Sequence, residues 1–178
     1  MQVILSGLDD LKQHIKQIKE SPYRYRPNRC PNCGKAGLWC HGGYFRKPGR
    51  RPDDRYLNPV WIPRFMCPEC RQTCSVLPEC IPPRRWHLWA TQQIVLNGVL
   101  HDRSIRSVGH HEGLVRSTVR RWKRWLEDRF VAQAACLRSV FSEFGRYPEL
   151  QSFWWAVWQA MTLAKAMLFC HQTGMTVP

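Results

Sequence analysis

Acidic side chains are scarce: 13 Asp and Glu stand against 27 Lys and Arg in 178 residues. A metal-dependent strand-transfer or nuclease centre needs several carboxylates converging on divalent ions. The adjacent acidic pairs here are Asp9-Asp10, Asp53-Asp54 and Glu127-Asp128, which read as a helix start, a loop and a solvated face. Residues 131–178 hold only Glu143 and Glu149, too few for a catalytic domain. No Ser/His/Asp arrangement, phosphate-binding glycine loop or HExxH stands out, and His41 and His110-His111 have no ligand partner at useful spacing. The residues therefore assign no catalytic side chain and no small-molecule substrate.

Long apolar runs are missing too. The opening MQVILSGLDDLKQHIKQIKE lacks the apolar core of a signal peptide. The most apolar stretch, Phe153 to Cys170, is broken by Gln159, Thr162 and Lys165, so it reads as a buried helix rather than a membrane span. Neither a low-complexity tract nor a long internal repeat is visible. The expectation is a cytoplasmic protein without a membrane partner. Nine cysteines in a reducing compartment argue for metal ligation or burial, and their odd number disfavours a closed disulfide framework.

What is abundant is positive charge. The formal net charge is +14, and 20 of the 27 cationic residues are Arg, the side chain suited to phosphates and guanine edges. A polyanionic partner follows from that balance, though not a fold. The charge is unevenly shared: residues 1–83 carry a net +7, 84–130 a net +6 and 131–178 only +1. Leu8, Leu11, Ile15 and Ile18 recur at helical spacing, with Asp9 and Asp10 early, Lys16 and Lys19 late, and Pro22 as a stop. The spacing predicts an N-terminal helix over 1–20. Residues 21–83 are rich in Pro, Gly, Cys and Arg, with strand-like runs at Leu38–Phe45 and Val60–Met66 joined by the polar loop Lys47–Pro59. After Pro82-Pro83 the pattern is helical: Trp86–Leu100, Ile105–His111, Arg116–Phe130 and a last helix Phe153–His171.

Cys30-Pro31-Asn32-Cys33 and Cys67-Pro68-Glu69-Cys70 are two CxxC knuckles. Together Cys30, Cys33, Cys67 and Cys70 supply four thiolates, the number that a closed tetrahedral Zn²⁺ site prefers. One structural zinc would fold the 21–83 segment as a ribbon and do no chemistry, having no open coordination position. The 33 residues between the pairs exceed the compact spacing, and the Lys47–Pro59 loop accounts for the excess. Cys40, His41, Cys74 and Cys80 could supply a second site, although their spacings match no common ligand pair; otherwise Cys40 and Cys74 pack as small apolar side chains. Cys136 and Cys170 fall in helical segments and read as core.

Residues 105–124 read IRSVGHHEGLVRSTVRRWKR. A helix-turn-helix needs a small residue where its helices cross, a glycine at the turn and an apolar lock. Gly109, Gly113 and the set Val108, Leu114, Val119 and Trp122 fit those roles, with Glu112 standing where an apolar residue is usual. On the opposite face lie Arg116, Ser117, Thr118, Arg120, Arg121 and Arg124. The second helix of such a pair enters the major groove. Arg116, Ser117 and Arg121 are then candidates for base edges, and Thr118, Arg120 and Arg124 for phosphates. Ribbon arginines, including Arg46, Arg50, Arg51, Arg55 and Arg64, would add phosphate contacts. The alternative is a solvated basic face on an ordinary helical bundle.

The run Gly113–Trp122 (GLVRSTVRRW) resembles the turn and recognition helix of transposase-type and resolvase-type helix-turn-helix domains. Upstream, CPNCG and MCPECRQTCS resemble the zinc ribbon that precedes such a domain in bacterial insertion-sequence proteins, and the order is similar to that of the short DNA-binding protein of IS1-type elements. Cys74–Trp86 (CSVLPECIPPRRW) also resembles a run found in transposon-associated bacterial proteins. Two departures are the 33-residue gap and Val115, which stands where Ser or Thr usually caps the recognition helix. The resemblance implies sequence-specific binding of double-stranded DNA, as an end-binding factor or repressor of a transposable element. Its partners would be a second copy of the chain or a transposase. The expected fold is mainly α with a small β zinc ribbon: an N-terminal helix (1–20), the four-cysteine ribbon (21–83), a helix-turn-helix bundle (84–130) and an apolar C-terminal segment (131–178). That last segment serves packing or oligomerisation, and its end soon after Gly174 would suit the N-terminal part of a longer transposase. Rival readings are a transposase or nuclease subunit and a zinc-dependent protein- or RNA-interaction module.

Overall fold

Short strands in the first half of the chain, and helices in the second, give two compact units, residues 1–88 and 89–177. The structure is a computed structural model, and it describes residues 1–47, 59–175 and 177. The phosphate contacts expected at Arg50, Arg51 and Arg55, and the Asp53-Asp54 pair, fall outside those residues.

Unit 1 is built on a sheet of strand order β1-β4-β3-β2 among the described residues: β1 Gln2–Leu5, β2 Trp39–Arg46, β3 Val60–Met66 and β4 Thr73–Pro78. β2 with β3 and β3 with β4 are antiparallel, whereas β1 lies parallel to β4, Gln2 opposite Ser75 and Leu5 opposite Pro78. The helix expected over 1–20 is therefore only its second half, α1 Leu11–Glu20. The apolar run QVIL has too few residues for a helical stripe but suits a strand, and β4 offers it a backbone edge. Asp10 caps α1 by accepting from the Gln13 N–H at 2.8 Å, and the chain leaves the helix before Pro22 as the sequence predicts.

Alternation along the strands builds a core on each face of the sheet. Val60 and Ile62 of β3 and Leu77 of β4 join Leu11, Cys80 and Ile81 in one cluster. Phe65, Cys74 and Val76 join Leu8, Tyr25, Leu38 and the ligand candidates Cys30 and Cys67 in the other. Gly43 sits where β2 shifts register against Pro63. A Cβ there would meet the Ile62 carbonyl and the Trp61 ring at 2.5 Å, so glycine is required. His14 on α1, fully buried, ties the helix down. The Trp61 carbonyl, 2.9 Å from His14 Nε2, can only accept; Nε2 therefore carries the proton, and Nδ1 accepts from the Tyr25 hydroxyl at 2.5 Å. Burial holds the His14 pKa below its ordinary value, against the hydrogen bond to Trp61.

Unit 2 is helical: α2 Trp89–Leu100, α3 Ile105–His111, α4 Arg116–Val140, α5 Leu150–Ala160 and α6 Leu163–Gln172. Its core holds Trp89, Leu96, Val108, Val119, Trp122, Leu126, Leu137, Trp154 and Met167. Two expectations are corrected. α4 runs on to Val140 rather than stopping at Phe130, because Ala134 and Leu137 continue its buried stripe. The single last helix is two: at Met161 the first ends, and Thr162 caps the second by accepting from the Lys165 N–H at 3.2 Å. α5 and α6 pack on α4, and α6 on α2, so much of the tryptophan-rich tail is core.

Candidate metal centre and basic helix face

The two CxxC segments fold into the same turn. Gly34 N–H donates to the Cys30 carbonyl at 2.9 Å, and Cys30 N–H to the Lys35 carbonyl at 2.7 Å. Thirty-seven residues on, Arg71 N–H donates to the Cys67 carbonyl and Cys67 N–H to the Gln72 carbonyl, both at 3.0 Å. The residue after each second cysteine is left-handed, φ 74° at Gly34 and φ 55° at Arg71. Glycine adopts that region freely, but an arginine there carries strain. Arg26 braces the first turn by donating from Nε to the Leu38 carbonyl at 2.5 Å.

These turns bring Cys30, Cys33, Cys67 and Cys70 together, every sulfur within 4.8 Å of the others. Across the cluster Cys30 Sγ is 3.7 Å from Cys70 Sγ, and Cys33 Sγ is 3.6 Å from Cys67 Sγ. Four sulfurs bound at about 2.3 Å to one tetrahedral ion would be separated by about 3.8 Å, so the arrangement fits one metal ion. Hydrogen bonding with the Gln72 backbone is the main cause pulling the Cys70 thiol down to about 6. At Cys33 a backbone hydrogen bond with Lys35 also pulls down, but slight desolvation and above all the crowding thiols of Cys67, Cys70 and Cys30 outweigh it and push the pKa up to about 12. Four sulfurs this close cannot all ionise unless a cation lies among them. Cys30 and Cys67 are buried in the core cluster of Phe65 and Val76 while Cys33 is exposed, so a bound ion would fasten core to surface.

The alternative of a second site finds no support among the described residues, and of the two cysteines expected to pack as small apolar side chains only Cys74 does so. Cys74 belongs to one core cluster, Cys80 to the other, and Cys40 is exposed. Among those residues, the group placed so that it could hold a metal ion is Cys30, Cys33, Cys67 and Cys70.

In unit 2 the residues Glu112–Val115 turn the chain between α3 and α4. Gly113 takes φ 65°, and Leu114 N–H donates to the Gly109 carbonyl at 2.7 Å. A Cβ on Gly109 would lie 2.9 Å from the Leu114 carbonyl oxygen, so the turn packs directly on the α3 backbone. Ser104 caps α3 through the Ser107 N–H at 3.1 Å. Glu112, expected to be a weak position, is buried and accepts from His111 Nδ1 at 2.8 Å. Val115 occupies the cap position of α4 without a side-chain hydrogen bond, yet the helix begins at Arg116 as the sequence predicts.

Val119, Trp122 and Leu126 are buried at 0–1% exposure. Arg116, Ser117, Arg120, Arg121 and Arg124 are exposed, and Thr118 is half-buried. The helix thus presents one cationic face from its first turn onward, where its dipole also favours anions. Not every expected phosphate ligand is placed for the task. Arg46 donates from Nη2 to the carbonyl oxygens of Pro82 (2.6 Å) and Arg85, so its guanidinium fastens the chain after β4. Arg64 donates to Thr73 Oγ1 at 3.1 Å. Trp86, expected to begin α2, is 62% exposed and precedes the helix.

Several working residues escape a reading of the sequence. Arg71 can be found by aligning CPECR with CPNCG, which sets it beside Gly34. His14 and Tyr25 leave no local signal, since their partners lie on different elements. Among the described residues no helix is long and apolar enough to cross a membrane. No curated protein and no solved structure matches the chain. A match running from Cys30, the first thiol of the cluster, to Trp122, the buried anchor of α4, covers more than half of the residues, and by it the chain belongs to the family described as a domain of unknown function, DUF6431.

Proposed function

We propose that this protein binds double-stranded DNA in a sequence-specific manner, with α4 entering the major groove and one zinc ion holding the four-cysteine module together. The observation that carries the reading is the two-sided start of α4: a buried stripe locked onto α3 through a glycine contact, and five exposed cationic or hydroxyl side chains opposite. A merely solvated face would need neither the tight Gly109 approach nor charge of a single sign. Arg116, Ser117 and Arg121 read base edges, while Thr118, Arg120 and Arg124 bind phosphates. Zinc suits a closed all-thiolate tetrahedron without redox demand. The family match supports taking the module and the helix start together, since it spans both without a break. The resemblance to insertion-sequence proteins supports a role at the ends or promoter of a transposable element, with a second copy or a transposase as partner.

Selection of bound duplexes from a random pool at controlled salt tests the reading. A defined motif is expected. Arg116→Ala or Arg121→Ala should weaken binding by about 1–3 kcal/mol and relax one base position. Failure to enrich any sequence would refute direct readout.

A further inference from the structure

The strongest unassigned feature lies in unit 1, away from the sulfur cluster. Beyond β2, a cleft of about 500 Å³ is lined by Gln2, Phe45, Lys47, Arg84 and Trp86 among others. Phe45 is 68% and Trp86 62% exposed, large apolar surfaces to leave in water beside cations. Both are held in place. The Phe45 ring rests edge-on against Trp61, centroids 5.1 Å apart. The backbone carrying Trp86 is fastened by Arg46 through the carbonyls of Pro82 and Arg85. Arg84, just before it, takes the left-handed φ of 56°, a strained conformation that turns the chain at the cleft. Gln2 of β1 closes one side of the cleft, its side-chain oxygen turned into buried surroundings.

We propose that this cleft binds an unpaired nucleotide of a single-stranded nucleic acid. Exposed rings supply faces for a base to stack on, and Lys47 and Arg84, both exposed, meet its phosphates. A base paired within a duplex offers no free face, so the ligand is a single strand or an extruded base. Charge complementarity favours it, since unit 1 carries 16 basic and 7 acidic residues, a net +9. The site is independent of the duplex reading for α4.

The test uses the full zinc-loaded chain with a labelled oligothymidylate of roughly 15 nucleotides, read by anisotropy and tryptophan quenching across salt. The same is done with oligouridylate, to separate DNA from RNA. Phe45→Ala/Trp86→Ala should weaken binding tenfold or more. Lys47→Ala should lower the salt slope by about 0.7. Arg116→Ala/Arg121→Ala should leave oligonucleotide binding intact while damaging duplex selection, and the aromatic pair should do the reverse. Circular dichroism and metal content show whether each variant is folded. The proposal is overturned if the folded aromatic variant binds as the parent does, if no oligonucleotide binds at low salt, or if the α4 variant abolishes single-strand binding.

Discussion

Replacing Gly109 with alanine sets two effects against each other. In a helix interior the change ordinarily stabilises by up to about 1 kcal/mol, through the restricted unfolded chain and better helix propensity. Here the new Cβ would stand 2.9 Å from the Leu114 carbonyl oxygen, a backbone atom that cannot rotate away. Relief means moving the turn by several tenths of an ångström, an overpacking cost of about 1–3 kcal/mol. The shift also stretches the 2.7 Å bond from Leu114 N–H to the Gly109 carbonyl, with about 1 kcal/mol at stake. The net is a loss of about 2 kcal/mol, or roughly a 10 °C fall in the melting temperature of a domain this size. Gly145 is the control, since a Cβ there meets nothing within 4 Å. Thermal unfolding followed by circular dichroism, with the zinc-loaded protein, should show Gly109→Ala destabilised and Gly145→Ala unchanged or slightly raised. Equal or greater stability for Gly109→Ala would refute the close-contact account of the turn.

Other expected outcomes follow from unit 1. Arg71→Gly should stabilise the metal-loaded protein by about 0.5–1 kcal/mol, because glycine accepts the left-handed conformation at no steric cost; a lower melting temperature would count against strain at that turn. Chelation should melt the β-sheet signal and release one zinc per chain, as metal affinity and folding are coupled, while a full set of unit 1 amide resonances surviving metal loss would contradict it. His14 has a depressed pKa, so the folded state binds fewer protons than the unfolded chain below the ordinary value of 6.5. Its contribution to stability is complete above that pH and is lost as pH falls beneath it. Imidazole NMR should find His14 neutral with the proton on Nε2 at about pH 6; titration at or above the ordinary value would be the opposing result.

Local signals foretell the elements that depend on local chemistry. Val60–Met66 and Ile105–His111 have the same bounds in the structure as in the sequence reading. The two CxxC turns are visible because spacing alone dictates a knuckle. Arg116 as the first residue of α4 follows from the glycine turn before it. β1 and β4 are not legible: a strand of four to six residues has no lasting period, and its partner decides whether it forms. The break at Met161–Thr162 escapes notice because an apolar stripe is continuous in sequence even when the helix carrying it is not.

Residue type and short spacing were enough to set the four candidate ligands, the cationic face of α4 and the concentration of charge ahead of the tail. Packing between distant elements set how other residues are used. It drew Arg46 and Arg64 onto neighbouring atoms of the chain and buried His14 against Tyr25 and Trp61. It also left Phe45 and Trp86 exposed beside one cleft. Such outcomes depend on contacts between elements far apart in the chain, which no local pattern of residues encodes.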